Sequence, residues 1–329
     1  MDRKHLPLLL IVLTVFLAVA GYMRLRPAPE LAPLRRAEPL RPEIPAPINQ
    51  GAGIEPELRV YIAGENRVQT MKFEEYLQGV VAAEMHTDWP REALAAQAIV
   101  ARTFTLQKIA DEGGVPQRGA HASTDIKEFQ AYDATRINDN VRQAVEATRG
   151  QVAVHGGRFI RGWFHAYSGP RTAEAREGLD YRGANPPYIK IVDSPAEGVI
   201  PPEERYWQAS FPLSRVREVV RQVTGRDPGN IIRVEIAKQG PSGRVTRFRV
   251  NRTKISGPQL RLGLGSTVMR SAFVDSVTIE GNNLKMTGRG YGHGVGMCQW
   301  GARALAEQGK NAAEIVHYFY RDIDIAKFW

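Results

Sequence analysis

The sequence has almost no cysteine: Cys298 is the single one among 329 residues. One cysteine excludes an intrachain disulfide and a zinc site built from several cysteines, so we expect the fold to be stabilised by its core alone. Hydrophobic residues (43%) and charged residues (24%) lie close to the globular average. This composition excludes a collagen-like, coiled-coil or largely disordered protein. The sequence also contains no internal repeat.

Acidic residues are fewer than basic ones, with 35 Asp and Glu against 44 Lys and Arg, a net charge of +9. Such an excess indicates an anionic partner: nucleic acid, a membrane surface or a bacterial wall polymer. No predicted helix or strand shows the mixture of basic and aromatic residues that is typical of nucleic-acid recognition. We therefore predict no nucleic-acid partner.

The N-terminus contains a long apolar run. Residues 6–23 carry no charge, are mostly apolar and follow the basic residues Arg3 and Lys4. Their number, 18, is the lower limit for a helix that crosses a bilayer, and the small residues around Ala20 also match a signal-peptide cleavage site. Residues 1–23 are therefore either a single-pass membrane anchor or a cleaved signal. Both alternatives place the remainder of the chain outside the cytoplasm, membrane-bound in the first case and secreted in the second.

A proline-rich segment separates this run from the rest of the chain. Eight of the 21 prolines lie between Pro27 and Pro56, a composition that favours an extended chain. We predict a linker over residues 24–57 that buries no core, followed by a folded domain over residues 58–329. Alternating residues at 231–236 and 245–250 predict two strands within a strand-rich insertion at about 199–262. The predicted fold class is mixed α+β, with a buried helix pair and a glycine-rich strand.

One acidic residue lies on the apolar face of a predicted helix over residues 73–85. Leu77, Val80 and Val81 have the i, i+3, i+4 spacing of a buried stripe, and the next position of that stripe is Glu84. Burial on this face and the position in the last helical turn both disfavour a negative charge, which raises the pKa of the carboxyl group. A protonated carboxyl group is what a general acid requires. The alternative is a glutamate that turns to the surface at a frayed helix end.

A second helix is predicted to begin at Trp89-Pro90 and to be apolar on nearly all sides. Gln97 and Arg102 are its polar exceptions. A buried arginine must be paired, and Glu84 or a bound ligand is a candidate partner of Arg102. The alternative is an ordinary structural ion pair.

Glycine occurs at every second position from Gly288 to Gly296. In an extended chain this spacing leaves one face without side chains, so that either a ligand or another protein segment approaches the backbone closely. A helix is predicted to follow over residues 297–308, and His293 lies on the face opposite the glycines. The spacing of the histidines and Cys298 matches no zinc site. We expect His293, Gln299 and Trp300 to position a ligand at a cleft or to pack in the core.

Two long segments and several short ones resemble the motifs of the SpoIID/LytB family. Residues 75–85 and 89–103 are similar to the family's opening motif, and residues 290–302 to its closing motif. Shorter similarities at 164–169, 193–195 and 255–264 extend the resemblance over about residues 58–329. It implies a lytic transglycosylase that cleaves peptidoglycan glycan strands, preferably strands without stem peptides. It also implies a role in forespore engulfment during sporulation, together with a SpoIIP-like amidase and a SpoIIM-like membrane protein.

The resemblance also implies roles for individual residues. The family's catalytic glutamate falls on Glu84, to which the helix pattern also points. The residues expected to bind the glycan are Arg102, Ser168, Gly292, His293, Gly294, Gln299 and Trp300. Some family members carry a His/Cys metal cluster after the first helix pair, but residues 121–132 here contain His121 and no cysteine. We therefore predict no metal and no other cofactor.

The number of carboxylates bears on the reaction type. A glycoside hydrolase of the usual kind needs two, whereas a lytic transglycosylase needs one, and no second carboxylate is evident near Glu84 in the sequence. Two alternatives remain open. One is a hydrolase with a second carboxylate elsewhere in the chain, and the other is a non-catalytic glycan-binding protein that activates a cell-wall amidase, the role ascribed to the LytB branch.

Overall fold

The computed structural model describes residues 40–329, which belong to one compact unit of the chain. The predicted anchor or signal at residues 1–23, and residues 24–39 of the predicted linker, lie outside the described residues. Within residues 40–329, no helix combines the length and the apolar character needed to span a bilayer.

The described chain contains both helices and short strands, which form several small sheets and confirm the predicted α+β class. The helices are α1 (Phe73–Glu84), α2 (Arg91–Glu112), α3 (Asp139–Ala147), α4 (Ala175–Gly178), α5 (Pro202–Arg205), α6 (Leu213–Thr224), α7 (Gly257–Leu264), α8 (Gln299–Glu307) and α9 (Ala312–Phe319). The strands are β1 (Glu57–Ile62), β2 (Arg67–Lys72), β3 (Ala122–Ser123), β4 (Gln151–His155), β5 (Arg158–Phe159), β6 (Phe164–His165), β7 (Tyr206–Pro212), β8 (Val234–Gln239), β9 (Val245–Val250), β10 (Thr253–Ser256), β11 (Val274–Glu280), β12 (Asn283–Arg289), β13 (Met297–Cys298) and β14 (Asp324–Lys327).

The strands form small separate sheets. Three are antiparallel throughout, with the orders β8–β9–β10, β7–β12–β11 and β5–β4–β14. In a fourth sheet, β1 pairs antiparallel with β2 and parallel with β3. The short strands β6 and β13 pair in parallel, so that Phe164 lies beside Met297 and His165 beside Cys298. This last pairing brings the start of residues 164–169, the segment that contains Ser168, against the end of the glycine-rich segment.

The main core is built around α2, which contacts α1, α3, α8 and α9. Its residues from Ala93 to Thr103 are all buried, and the many alanines among them let neighbouring helices approach closely. Helix α1 packs its stripe of Leu77, Val80 and Val81 into the same core. The predicted helix pair is therefore confirmed; α1 ends at Glu84, and α2 begins at Arg91 with Pro90 as its N-cap residue.

A second apolar core lies between β7 and β12. It runs from Trp207 to Met286 and is formed by β7–β12 with α6 and α7. We call residues 206–289 the second lobe. The predicted strand at 245–250 coincides with β9, whereas the strand predicted at 231–236 is β8 and begins only at Val234. The insertion was predicted to end near residue 262, but the core of the second lobe also includes residues of β11 and β12, because these strands complete the sheet with β7.

The segment before β1 is more ordered than its proline content suggests. Ile44 and Ile48 are buried in the main core, the latter within a 3-10 helix at Ala46–Ile48. Glu55 forms an ion pair with Arg149 and accepts a hydrogen bond of 2.9 Å from the backbone N–H of Glu74. The prediction that residues 24–57 bury no core is therefore wrong for residues 44–57. Single isoleucines between prolines are enough to fix this segment on the main core.

The glycine-rich segment is not the predicted extended strand. Gly290, Gly292, Gly294 and Gly296 all have positive φ angles, between +73° and +110°, which side chains other than glycine rarely adopt. The following helix begins at Gln299 rather than at residue 297, because Met297 and Cys298 pair with β6. The segment bends at these glycines and makes single β-bridges, from Tyr291 to Tyr167 and from Val295 to Ala173, so its alternating glycines reflect backbone conformation.

Candidate functional site

Glu84 is the last residue of α1, where the helix leaves the main core. Its Oε1 accepts a hydrogen bond of 2.9 Å from the backbone N–H of Ala131. Burial raises the pKa of the Glu84 carboxyl group to about 7, and hydrogen bonds from Ala131 and the side chain of Gln299 offset only part of this effect. The predicted direction of the pKa shift is thus confirmed. A carboxyl group with this pKa can both donate and accept a proton near neutral pH.

The Glu84 side chain borders a cavity of about 330 Å³. Aromatic and apolar groups form most of the wall, and Glu84 is the single acidic residue in it. The lining residues are Glu84, Phe104, Ile126, Phe129, Gln130, Gly162, Trp163, Phe164 and His293. Aromatic faces beside one protonatable group are suited to holding a sugar ring next to an acid.

Buried amide groups lie behind the carboxyl group. Gln299 at the start of α8 donates from its Nε2 to Oε1 of Gln97 on α2, at 3.4 Å, and its side chain lowers the pKa of Glu84. Gln130 donates to the Thr105 hydroxyl at 3.0 Å, and its Oε1 has no hydrogen-bond partner among the described residues. Gln299, predicted to bind the glycan, therefore lies against the carboxyl group itself. In this position it orients Glu84 and stabilises its charged form.

His293 borders the same cavity from the glycine-rich segment. Its Nδ1 accepts a hydrogen bond of 3.0 Å from the backbone N–H of Val295, which places the proton of the neutral ring on Nε2. Burial, together with the charges of Arg261 and Arg244, lowers the pKa of His293 to about 3. The imidazole is therefore neutral at physiological pH. It is suited to positioning a ligand and not to supplying a positive charge.

Arg102 is fully buried and forms an ion pair with Glu74, not with Glu84. Its Nε and Nη2 donate to the two carboxylate oxygens of Glu74 at 3.0 and 2.6 Å. Glu74 also accepts hydrogen bonds from the backbone N–H of Gly150 and from Nε1 of Trp329, at 3.0 and 2.9 Å. Arg102 does not line the Glu84 cavity. We therefore assign Arg102 to a structural ion pair, the alternative given above, and not to glycan binding.

Trp300 and Ser168 also lie outside the lining of the cavity. Trp300 is 5% exposed, packs on Trp89 at a ring distance of 4.6 Å and donates from Nε1 to Glu204 at 3.1 Å. It is a core residue rather than an exposed platform for a sugar. Ser168 is fully buried, its backbone N–H points to Sγ of Cys298 at 3.4 Å, and its carbonyl oxygen accepts a hydrogen bond from Arg244.

Protein atoms, not a ligand, occupy the space beside Gly292 and Gly294. A Cβ atom at Gly292 would lie 2.6 Å from Cβ of His165, and one at Gly294 would overlap with the guanidinium of Arg244. Of the two alternatives for the alternating glycines, close approach by another protein segment is therefore the one observed. Both glycines position the backbone on either side of His293.

The segment after the first helix pair does not fit a zinc site. Nδ1 of His121 accepts a hydrogen bond of 3.1 Å from the backbone N–H of Arg59, so the ring is held against β1. Within residues 40–329, no three His, Cys, Asp or Glu side chains are grouped as metal ligands. We derive no chemical step through a metal.

The aromatic wall of the cavity escaped prediction from the sequence. Phe129 and Gln130 lie in the loop before Ala131, Trp163 precedes β6, and Phe104 lies on α2 directly after the buried stretch that ends at Thr103. Their signal in the sequence is weak, because loop residues show no periodicity. The position of Trp163 beside the Ser168 segment was the one available indication.

Comparison with known proteins assigns the chain to a family. The sequence profile of the stage II sporulation protein family, SpoIID, matches residues 61–155, and that of a domain of unknown function matches residues 202–296. Stage II sporulation protein D of Bacillus amyloliquefaciens is 31% identical over 300 residues, which cover 85% of this chain and 83% of that protein. The chain belongs to the SpoIID family.

Two further proteins are similar to this chain. Stage II sporulation protein D of Bacillus subtilis strain 168 is 28% identical over 285 residues, covering 82% of this chain and 78% of that protein. A protein named amidase enhancer, from the same strain, is 28% identical over 288 residues. These cover 74% of this chain and 39% of the enhancer. The SpoIID profile itself covers α1, α2 and Glu84.

Proposed function

We propose that this SpoIID-family protein is a lytic transglycosylase that cleaves peptidoglycan glycan strands, with Glu84 as its general acid and base. One observation carries the proposal: Glu84, whose pKa is raised to about 7, is the single acidic residue in the lining of an aromatic cavity. A reaction that needs one proton-transferring carboxyl group fits this lining better than one that needs two.

In the first step, protonated Glu84 donates its proton to the glycosidic oxygen as the bond to C1 of the muramic residue breaks. Burial keeps a large fraction of the carboxyl group protonated at neutral pH. The aromatic side chains of Phe129 and Trp163 hold the sugar in place, and the neutral ring of His293 orients it.

In the second step, the C6 hydroxyl of the same muramic residue attacks C1 and returns its proton to Glu84. The products are a 1,6-anhydro-muramyl end and a new free hydroxyl on the departing sugar, and no water is consumed. The hydrogen bonds from Ala131 and Gln299 stabilise the carboxylate between the two steps. A second carboxylate to activate water is therefore unnecessary.

The biological setting is part of the same proposal. The relatives named stage II sporulation protein D support a role in sporulation, and we place that role in cell-wall remodelling at forespore engulfment. There the preferred substrate is glycan whose stem peptides have been removed by a SpoIIP-like amidase, and a SpoIIM-like membrane protein completes the complex. Residues 6–23 hold the protein on the membrane with residues 58–329 outside the cytoplasm; cleavage after Ala20 would instead release it as a secreted protein.

The experiment that tests this function is digestion of purified peptide-free glycan strands, followed by mass spectrometry of the ends. A chain that begins at residue 39 retains the compact unit with both apolar cores. We expect anhydromuramyl ends from it, and a loss of roughly 10²–10⁴-fold in rate for Glu84→Gln, the range that a general acid contributes. Glu75→Gln is the matched control, because Glu75 is exposed on the same helix. Reducing ends in place of anhydro ends would indicate a hydrolase.

A second candidate function is favoured by the relative named amidase enhancer. In this case the protein binds glycan and activates an amidase without cleaving the strand itself. One experiment separates the two candidates. If the protein is a pure activator, the wild type and Glu84→Gln stimulate a SpoIIP-like amidase to the same extent, and neither yields anhydro ends.

A further inference from the structure

The positive charge of the chain is concentrated in the second lobe. Residues 206–289 contain 15 of the 44 Lys and Arg but 5 of the 35 Asp and Glu, a net charge of +10. The remaining 245 residues contain 29 basic and 30 acidic residues, a net charge of −1. The whole excess of positive charge in the protein therefore lies in this lobe. The Glu84 cavity, outside it, contains no Lys or Arg in its lining.

Every acidic residue of the second lobe forms an ion pair with a basic residue of the same lobe. The pairs are Glu218 with Arg215, Asp227 with Arg217, Glu235 with Arg233 and Arg249, Asp275 with Arg289, and Glu280 with Lys285. Arg226, Arg252 and Lys254 are exposed and form no ion pair within residues 40–329. Their charges are therefore available to an external anion.

These three cations surround one concave surface of about 470 Å³ where α6 ends and β10 begins. Its lining consists of Thr224, Arg226, Arg252, Thr253 and Lys254, which we call the basic site. The lining contains two hydroxyl groups and neither a carboxylate nor an apolar side chain. Guanidinium and ammonium donors around one concavity are the groups that bind phosphate.

An exposed apolar side chain lies beside the basic site. Oδ1 of Asn251 accepts hydrogen bonds of 3.1 Å from the backbone N–H groups of Ile232 and Arg233, and its Nδ2 donates to the carbonyl oxygens of Pro228 and Asn230. These four bonds hold the loop before β8 next to the residue that precedes Arg252. The loop presents Ile232 with 80% of its surface exposed.

We propose that the basic site and Ile232 dock the second lobe on an anionic phospholipid surface. The cations bind headgroup phosphates, and the isoleucine enters the interfacial layer, where its apolar surface leaves water. A soluble polyanion would satisfy the cations equally well but would leave Ile232 in water, so the combination favours a bilayer. The proposal does not depend on the reaction at Glu84, because the basic site and the cavity share no residue.

The test is co-sedimentation with vesicles. The protein used begins at residue 39 and so omits the predicted membrane segment. Equimolar phosphatidylcholine and phosphatidylglycerol are compared with phosphatidylcholine alone. The triple variant Arg226→Gln, Arg252→Gln, Lys254→Gln is expected to bind the anionic vesicles on the order of 100-fold more weakly, since each surface cation contributes roughly a factor of five.

A matched triple variant removes the same charge from outside the second lobe: Arg91→Gln, Lys127→Gln and Arg158→Gln, all at exposed positions without an ion pair within residues 40–329. An equal loss of binding in the two triple variants would overturn the proposal, because net charge alone would then explain it. Thermal unfolding of both variants confirms that they are folded.

Ile232→Ser distinguishes a bilayer from a soluble polyanion. We expect roughly five- to tenfold weaker binding to anionic vesicles, from the loss of one apolar contact, and unchanged binding to inorganic polyphosphate. Ile54→Ser, at a half-exposed isoleucine of the other lobe, is the control. Unchanged vesicle binding by Ile232→Ser, or binding to polyphosphate without binding to vesicles, would overturn the phospholipid assignment.

Discussion

Replacement of Glu84 by glutamine should stabilise the protein at high pH while slowing cleavage by roughly 10²–10⁴-fold. The pKa of the carboxyl group is about 7 in the folded protein, against an ordinary value of 4.5. Because the folded state holds this proton more tightly, the unfolded state loses it first as the pH rises, and the folded state is progressively destabilised between these two values. Glutamine fills the same space without the ionisation.

The magnitude follows from the shift. A difference of about 2.5 pKa units corresponds to about 3 kcal/mol at roughly 1.4 kcal/mol per unit. At pH 4 the carboxyl group is protonated in both states, so this contribution is absent; at pH 8 it is present in full. The difference between the free energies of unfolding of Glu84→Gln and wild type should therefore rise by about 3 kcal/mol from pH 4 to pH 8.

Urea denaturation at the two pH values measures this quantity, and contributions that do not depend on pH cancel. Glu75→Gln on the same helix is the control. The reasoning would be refuted if the effect of Glu84→Gln were the same at pH 4 and pH 8, or if Glu75→Gln showed the same rise. A confirmed rise would show that burial of an ionisable acid at this position lowers stability.

Three further substitutions test the surroundings of the site. Gln299→Leu removes a hydrogen bond to the carboxylate of Glu84, so the alkaline limb of the pH profile of kcat/KM should move upward by about one pH unit. Arg102→Met leaves the charge of Glu74 buried without its partner, and the free energy of unfolding measured in urea should fall by about 3–5 kcal/mol. Gly294→Ala places a methyl group against a buried guanidinium at a φ of +83°, and should lower the melting temperature in a calorimetric scan.

Each of these predictions has a matched control. Gln308→Leu makes the same replacement at an exposed position just after α8 and should leave the pH profile unchanged. Adding Glu74→Gln to Arg102→Met removes the unpaired charge, keeps an acceptor for the N–H groups of Gly150 and Trp329, and should restore part of the lost stability. A raised KM without any loss of stability would instead return Arg102 to glycan binding. Gly309→Ala has the same φ of +83° with open space around the new Cβ, so an equal effect there would exclude the steric explanation.

The sequence predicted the acid but not the cavity around it. Glu84 continues a stripe of apolar residues on one helix, and helical periodicity is a local property that can be recognised without a fold. The aromatic wall comes from the loop around Phe129, from Trp163 and from α2. These segments meet through tertiary packing, which leaves no regular spacing in the chain.

The same distinction explains the errors. Arg102 required a buried partner, as its position indicated, but Glu74 lies 28 residues away in sequence, and charge alone did not distinguish it from Glu84. Alternating glycines were interpreted as a strand because the pattern has a period of two, whereas the positive φ angles from Gly290 to Gly296 bend the backbone. Ile44 and Ile48 were overlooked because proline content describes the flexibility of a segment and not the few side chains that attach it.

The location of Trp329 has a consequence for the order of folding during synthesis. Its indole rests on Phe73 at a ring distance of 5.2 Å and donates to Glu74, while β14 completes the sheet of β4 and β5. A chain that emerges N-terminus first thus presents Phe73 and Glu74 of α1 without the residue that covers them until position 329 has appeared. Contacts over such a sequence distance form slowly. We expect the main core to be completed after synthesis or export of this region, and nascent chains to be sensitive to protease until then.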